Sequence, residues 1–115
     1  EISKNTAKKI NSVKKNGGKI VAVGTTVLRA LESSVDKNGN VKSNKGATNL
    51  FITPKSKIIT TDYLLTNFHL PKSTLFILVC SYAGIKVMKN AYEYAIENKF
   101  KFYSLGDACL IKKDN

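Results

Sequence analysis

The chain has 115 residues, 43% of them hydrophobic and 9% aromatic, enough to enclose the core of one ordinary domain and too apolar for intrinsic disorder. Lysine and arginine number 19 against 8 acidic residues, a net charge of +11 carried by lysines and the lone arginine Arg29. No run approaches the roughly 20 apolar residues of a membrane span, no signal-peptide pattern opens the chain, and Cys80 and Cys109 lie far apart outside any CxxC or metal-type cluster.

Two well-separated cysteines suit a reducing cytoplasm and read as core residues. The basic surface attracts phosphate backbones. Lysines spread over nearly all the chain outside its apolar runs fit a lysine-biased proteome equally well, and both readings stand. Glu1 takes the place of an initiating methionine, and the first helical stretch has nothing ahead of it to pack on. The expectation is a trimmed domain or a fragment.

In chain order, Ser3 can cap a helix to about Lys15 with Ala7, Ile10 and Val13 on one face, ended by Asn16-Gly17-Gly18. Lys19 to Val23 (KIVAV) is a β-branched run that reads as a strand buried on both faces. Gly24-Thr25-Thr26 follows, then Val27 to Ser34 with helical spacing. A strand, a glycine turn and a helix start aim free backbone N–H groups at an anion or polar ligand, and a tight turn with a threonine cap is the equal alternative.

Residues 36–48 are polar and without period, a surface loop or hairpin tip. Asn49 to Thr53 (NLFIT) is strand-like, and Lys55-Ser56-Lys57 turns into Ile58–Thr61 and a further strand from Asp62 to Phe68. After Pro71, Ser73 or Thr74 can cap an apolar helix to about Tyr82, closed by Gly84. The next helix, from about Val87 to Asn98, is expected to turn Val87, Ala91, Tyr94 and Ala95 inward and Lys89, Glu93 and Glu97 outward. Phe100 to Tyr103 alternates as a strand would, residues 104–107 form a turn, and Ala108 to Ile111 closes the fold. Short strands alternating with helices predict an α/β fold with a mixed β-sheet and flanking helices.

The stretch from Thr66 to Leu75 (TNFHLPKSTL) joins two apolar runs and holds the only histidine. His69 has the one unperturbed pKa near neutrality and is the first candidate for proton transfer; the alternative is a histidine that satisfies a turn.

Three segments coincide with one family pattern: VAVGTTVLRALES, TDYLLTNFHLPKSTLFILVCSYAG and AYEYAIENKFKFYSLGDACLI. Together they closely resemble the C-terminal part of the S-adenosylmethionine:tRNA ribosyltransferase-isomerases of queuosine biosynthesis. The resemblance implies a cytoplasmic enzyme acting on tRNA that carries 7-aminomethyl-7-deazaguanine at the wobble position. It implies transfer and isomerisation of the ribosyl moiety of S-adenosylmethionine, giving epoxyqueuosine-tRNA with release of adenine and methionine. S-adenosylmethionine is then a consumed substrate, with no resident cofactor and no metal.

On these motifs the candidate catalytic residues are His69, Asn67 and Arg29, and the candidate substrate-binding residues are Gly24, Thr25, Thr26, Glu32, Thr66 and Asp107. Arg29 can bind a carboxylate or phosphate, or pair with Glu32 at i,i+3. Glu32 alternatively holds a cationic sulfonium or amine. Thr66, Ser73 and Thr74 also read as capping and loop-holding groups, Asp107 as an Asx lock, and Tyr82 and Tyr103 as base-stacking or core residues. Val27 departs from the small residue that many members place after GTT. A full member is roughly three times this length and has an inserted β-rich domain. Residues 1–115 are accordingly expected to be the C-terminal part of the catalytic α/β domain of a two-domain enzyme, with the upstream half and the inserted domain absent. Alone, the chain should be inactive and expose a seam where the upstream half packs. A non-catalytic basic RNA-binding module is the alternative.

Overall fold

The computed structural model describes residues 1–45, 57–69, 73–101 and 107–114. Among these, four helices and three strands follow the order α1 (Lys4–Lys15), β1 (Val21–Val23), α2 (Thr25–Glu32), β2 (Tyr63–Asn67), α3 (Thr74–Ala83), α4 (Ile85–Glu97) and β3 (Ala108–Lys112). The sheet order is β1-β2-β3, with β1 parallel to β2 and β3 antiparallel to it, a mixed sheet as expected. The strand read at Asn49–Thr53 and most of the stretch from Phe100 to Asp107 lie outside the described residues.

Local chemistry accounts for the helix ends. Ser3 Oγ accepts the Thr6 N–H at 3.1 Å and starts α1, and Ser73 Oγ accepts the Phe76 N–H at 3.1 Å and starts α3. Each satisfies an N–H that has no partner within its helix. Gly84 closes α3 and opens α4 at φ +97°, a conformation that suits glycine.

The main core lies between one face of the sheet and α2, α3 and α4. Ala22, Leu64 and Ile111, in register across the three strands, pack there with Leu28, Val79, Tyr82, Met88 and Ala95. A smaller cluster of Ile2, Ala7, Leu31 and Val41 ties α1 to α2. Asn11 reinforces it by donating to Val41 O at 2.9 Å and accepting from Val41 N at 2.8 Å. The polar segment after α2 is a hairpin tip, bridged Val35 to Val41, whose turn is held by Asp36 Oδ1 accepting from the N–H groups of Asn38 and Asn40.

Four expectations need correction. β1 is three residues long and buries only Ala22, while Val21 and Val23 are exposed, because no described element covers that side of the sheet. α2 begins at Thr25, with Gly24 as its N-cap and no side-chain cap, so the threonines form its first turn. β2 begins at Tyr63, and Ile58–Thr61 is irregular chain ahead of it. α4 buries Met88, Tyr92 and Ala95, whereas Val87 and Tyr94 are exposed. The reason is an aromatic cluster: the Tyr92 ring meets Phe76 at 4.7 Å and Phe68 at 5.2 Å, both edge-on. That contact rotates α4 by one position from the predicted stripe.

Candidate functional site

β1 and β2 run parallel, so their carboxyl ends lie at the same edge of the sheet. In open α/β sheets such edges are where ligands are received. Val23 is in register with Leu65, and Gly24 N–H donates to Leu65 O at 2.8 Å, which sets the GTT turn beside Thr66 and Asn67. β3 reaches the same edge from the other side: Ala108 pairs with Asn67, and Phe68 N–H donates to Asp107 O at 3.4 Å. Gly24, Thr25, Thr26, Thr66, Asn67, His69 and Asp107 thus gather at one end of the sheet. Gly24 sits at φ +99°, ψ 145°, a region essentially confined to glycine. The first N–H groups of α2 point out of this end, with the positive end of the helix dipole behind them.

The strand alternation separates the candidates. Thr66 and Cys109 are paired on the helix-covered face, and Asn67 and Ala108 are paired on the open one. His69 is only 7% exposed and lies within hydrogen-bond distance of Thr66, with Nε2 at 3.1 Å from Oγ1. Its backbone N–H donates to the Tyr92 hydroxyl at 2.9 Å. Burial holds the imidazole pKa below its ordinary value of 6.5, which favours the neutral ring at pH 7. Burial also pushes the Tyr92 phenol up to about 12, so it stays protonated while its oxygen accepts from His69. Thr66 is therefore a loop-holding group that touches the histidine directly.

Arg29 is half-buried, one turn into α2, about 6 Å along the axis from Thr25. Glu32 stands at the far end of the helix, about 10 Å from Thr25. Its carboxylate accepts from the N–H groups of Ile59 and Thr60, at 3.1 and 2.8 Å, and from the Thr60 hydroxyl. Glu32 thus has a use that neither the Arg29 pair nor a bound cation foresaw: it fastens the chain ahead of β2. Lys14 Nζ donates to Ile59 O at 2.8 Å, and Lys113 Nζ to Ile58 O at 3.3 Å. Thr61 shares a buried 2.9 Å hydrogen bond with Tyr82, and Asp62 Oδ2 accepts the Ile20 N–H at 2.9 Å. The chain leading into the strand that delivers Asn67 is thus anchored by five partners, Glu32, Lys14, Lys113, Tyr82 and Ile20. Asp107 locks the other approach, its carboxylate accepting the Lys101 N–H.

Tyr82 is a core residue, with its phenol pushed up to about 12 by burial, and Tyr103 lies outside the described residues. Burial also raises both cysteine thiols, Cys109 to about 11, which agrees with the reading of both as packing groups. Among the described residues no cluster of His, Cys, Asp or Glu is arranged to hold a metal, and no helix is long and apolar enough to cross a membrane. Sequence reasoning missed Tyr92, Thr60 and Thr61. Tyr92 had a signal, since Met88, Tyr92 and Ala95 make an i, i+4, i+7 stripe as good as the one predicted.

A family model described as "Queuosine biosynthesis protein" matches residues 1–111. The chain belongs to that family. It is 51% identical over 113 residues to the S-adenosylmethionine:tRNA ribosyltransferase-isomerase of Gluconobacter oxydans, covering 98% of this chain and 33% of the relative. The protein of the same name from Rickettsia africae is 54% identical over 110 residues, covering 96% and 30%. The crystal structure of an S-adenosylmethionine tRNA ribosyltransferase from Thermotoga maritima superimposes with a TM-score of 0.84 at 40% identity, over 96% of this chain and 39% of that one. The chain therefore spans about a third of the length of the curated relatives it matches.

Proposed function

We propose that this chain is the C-terminal part of the catalytic α/β domain of an S-adenosylmethionine:tRNA ribosyltransferase-isomerase. In the whole enzyme the upstream half and an inserted β-rich domain complete the site. The reaction transfers the ribosyl moiety of S-adenosylmethionine to the aminomethyl group of 7-aminomethyl-7-deazaguanine in the tRNA wobble position and isomerises it. Adenine and methionine leave, and epoxyqueuosine-tRNA is formed. S-adenosylmethionine is consumed, no resident cofactor is needed, and the setting is cytoplasmic.

The observation that carries this reading is the meeting of GTT and TNFH at the carboxyl ends of adjacent parallel strands. The chemistry needs a base for the proton on the 5′ carbon beside the sulfonium, a donor toward the departing adenine, and two substrates held in register. A neutral, buried His69 is able to accept a proton, and the Asn67 carboxamide can bond a base edge. Arg29 offers a bidentate grip on a carboxylate or phosphate, and the N–H groups and hydroxyls of Thr25 and Thr26, which follow the Gly24 turn, lie at the start of the same helix. Glu32 and Asp107 hold the two approaches to this edge and stay candidates for binding substrate in the whole enzyme.

The test joins the preceding sequence of the Gluconobacter oxydans relative to Glu1 and measures adenine release with tRNA bearing the aminomethyl base. Release by the joined protein, lost in His69→Ala or Arg29→Ala with folding retained, supports the reading and places that residue in the site. A well-folded, tRNA-binding protein that releases no adenine overturns it in favour of a basic RNA-binding module, whose affinity would fall steeply with salt. The 115-residue chain alone is expected to release none.

A further inference from the structure

His69 is held at two points by two different elements. From β2 the Thr66 hydroxyl meets ring Nε2 at 3.1 Å, and from α4 the Tyr92 hydroxyl accepts the backbone N–H at 2.9 Å. Thr66 is β-branched, buried and in register with Cys109 of β3, so its side chain has few rotamers open to it. Tyr92 is buried with its ring edge-on to both Phe68 and Phe76. Satisfying the turn needs only the bond from the backbone N–H; the contact at Nε2 serves the imidazole itself. The two ring nitrogens are therefore unlike. Among the described residues Nδ1 has no hydrogen-bond partner, and no buried side-chain nitrogen or oxygen is left without one. Nδ1 accordingly belongs to the small part of His69 that reaches the surface, at the end of the sheet where the GTT turn and Asn67 gather.

We infer that Nδ1 of His69 is the nitrogen that takes the proton, and that Thr66 is a positioning residue that holds the ring through Nε2. The inference rests on the proposed reading in which His69 is the base, and it deepens that reading by naming the atom and its support. A lone pair on Nδ1 requires the neutral tautomer protonated at Nε2, so the Nε2 proton is donated to Thr66 Oγ1. In the step, the C–H bond at the 5′ carbon of S-adenosylmethionine breaks and its electron pair stays on that carbon, beside the sulfonium. The proton passes to the Nδ1 lone pair, and the ring becomes an imidazolium whose Nε2–H still donates to Thr66. A charged donor makes the stronger hydrogen bond, so this contact tightens as the charge develops and favours the transfer. A hydroxyl partner fixes the tautomer without the charge of a carboxylate, so the resting ring stays neutral, as its burial also favours. Thr66 touches no reacting atom in this arrangement and acts through the ring. Tyr92 fixes the backbone from which the ring hangs, and the two elements together set its direction before substrate arrives.

The joined full-length protein described above, made with histidine labelled at its ring nitrogens, tests this by nitrogen NMR. The signals of His69 are those missing from the His69→Gln variant. Above the imidazole pKa the expected spectrum shows Nε2 protonated and Nδ1 bare, and in Thr66→Val the same ring becomes a mixture of tautomers. Adenine release gives the second reading. Thr66→Val should lower kcat by about tenfold or more while KM for S-adenosylmethionine stays within about twofold. Thr66→Ser keeps the hydroxyl and should recover the single tautomer and most of the lost rate. A resting ring protonated at Nδ1 overturns the inference, since that atom would then donate and not accept. So does a Thr66→Val protein with the tautomer and kcat of the parent, or one whose loss falls on KM, which would make Thr66 a substrate contact. The tautomer of the unsubstituted protein is read without any change at Thr66, so a misfolded Thr66→Val still leaves a deciding measurement. Any of these failures in a joined protein that releases adenine strikes the assignment of nitrogen and support alone. A well-folded joined protein that releases none overturns the enzymatic reading, and the inference with it.

Discussion

The two faces of the sheet differ in everything except sequence character. Leu64 and Leu65 are neighbours on β2, yet Leu64 is fully buried beneath the helices and Leu65 faces the open side. The covered face is closed by apolar packing together with buried polar bonds, Thr61 to Tyr82, Thr66 to His69 and the His69 N–H to Tyr92. The open face carries valine and leucine at its centre and ends at Asn67. Apolar character therefore says that a residue will be covered, and only the arrangement of elements says by what.

The largest test of that contrast is Leu64→Ala against Leu110→Ala in the 115-residue chain. Leu64→Ala should lower the unfolding free energy by about 2–5 kcal/mol, and Leu110→Ala should stay within about 0.5 kcal/mol. Denaturant midpoints decide, and similar losses would erase the distinction between the faces. At the edge where the faces meet, Gly24→Ala forces a side chain into a glycine-only backbone region and should cost about 1–3 kcal/mol in the same titration. A Cβ there would meet nothing within 4 Å, so a loss would report backbone strain and not a clash.

Tyr92→Phe removes the acceptor of a buried N–H while keeping the ring against Phe68 and Phe76. It should cost about 1–3 kcal/mol and speed amide exchange at His69. Unchanged exchange there would mean that the loop is held by packing alone. Ser73→Ala removes the cap of α3, a helix of the covered face, and should cost about 1 kcal/mol.

The smallest effect is the pH dependence of His69. Its folded pKa is depressed by burial, so the unfolded chain binds the proton more readily. The stability it contributes is fully present above the unfolded value near 6.5 and is lost as pH falls toward the folded pKa. As the chain has one histidine, a single imidazole resonance should titrate with a midpoint below 6.5. A midpoint at or above 6.5 would place the ring in water or beside an anion.

How much could be read in advance follows from the range of the interaction concerned. The caps at Ser3 and Ser73 and the closure at Gly84 were legible, because each involves groups within one turn. The convergence of GTT with TNFH was legible only through the family resemblance. Parallel pairing of β1 with β2 joins residues about 40 positions apart, and no local pattern specifies it. The bonds of Glu32 to Ile59 and Thr60 were not legible, because those partners are 27 and 28 residues away. On α4, Tyr94 and Tyr92 are equally apolar one-dimensional candidates, and the rings of Phe68 and Phe76 chose between them.

By itself the sequence determined the presence of the helices, the capped starts of α1 and α3, the closure at Gly84, the apolar strand runs and the family to which the chain belongs. These rest on periodicity, on capping within one turn and on motif spacing. Tertiary structure alone decided that Asn67 faces the open side while His69 is buried against Thr66 and Tyr92, and that among the described residues no element covers the second face of the sheet. The physical reason is that side-chain direction in a strand alternates with the register of its neighbours, and burial depends on what other elements bring to each face.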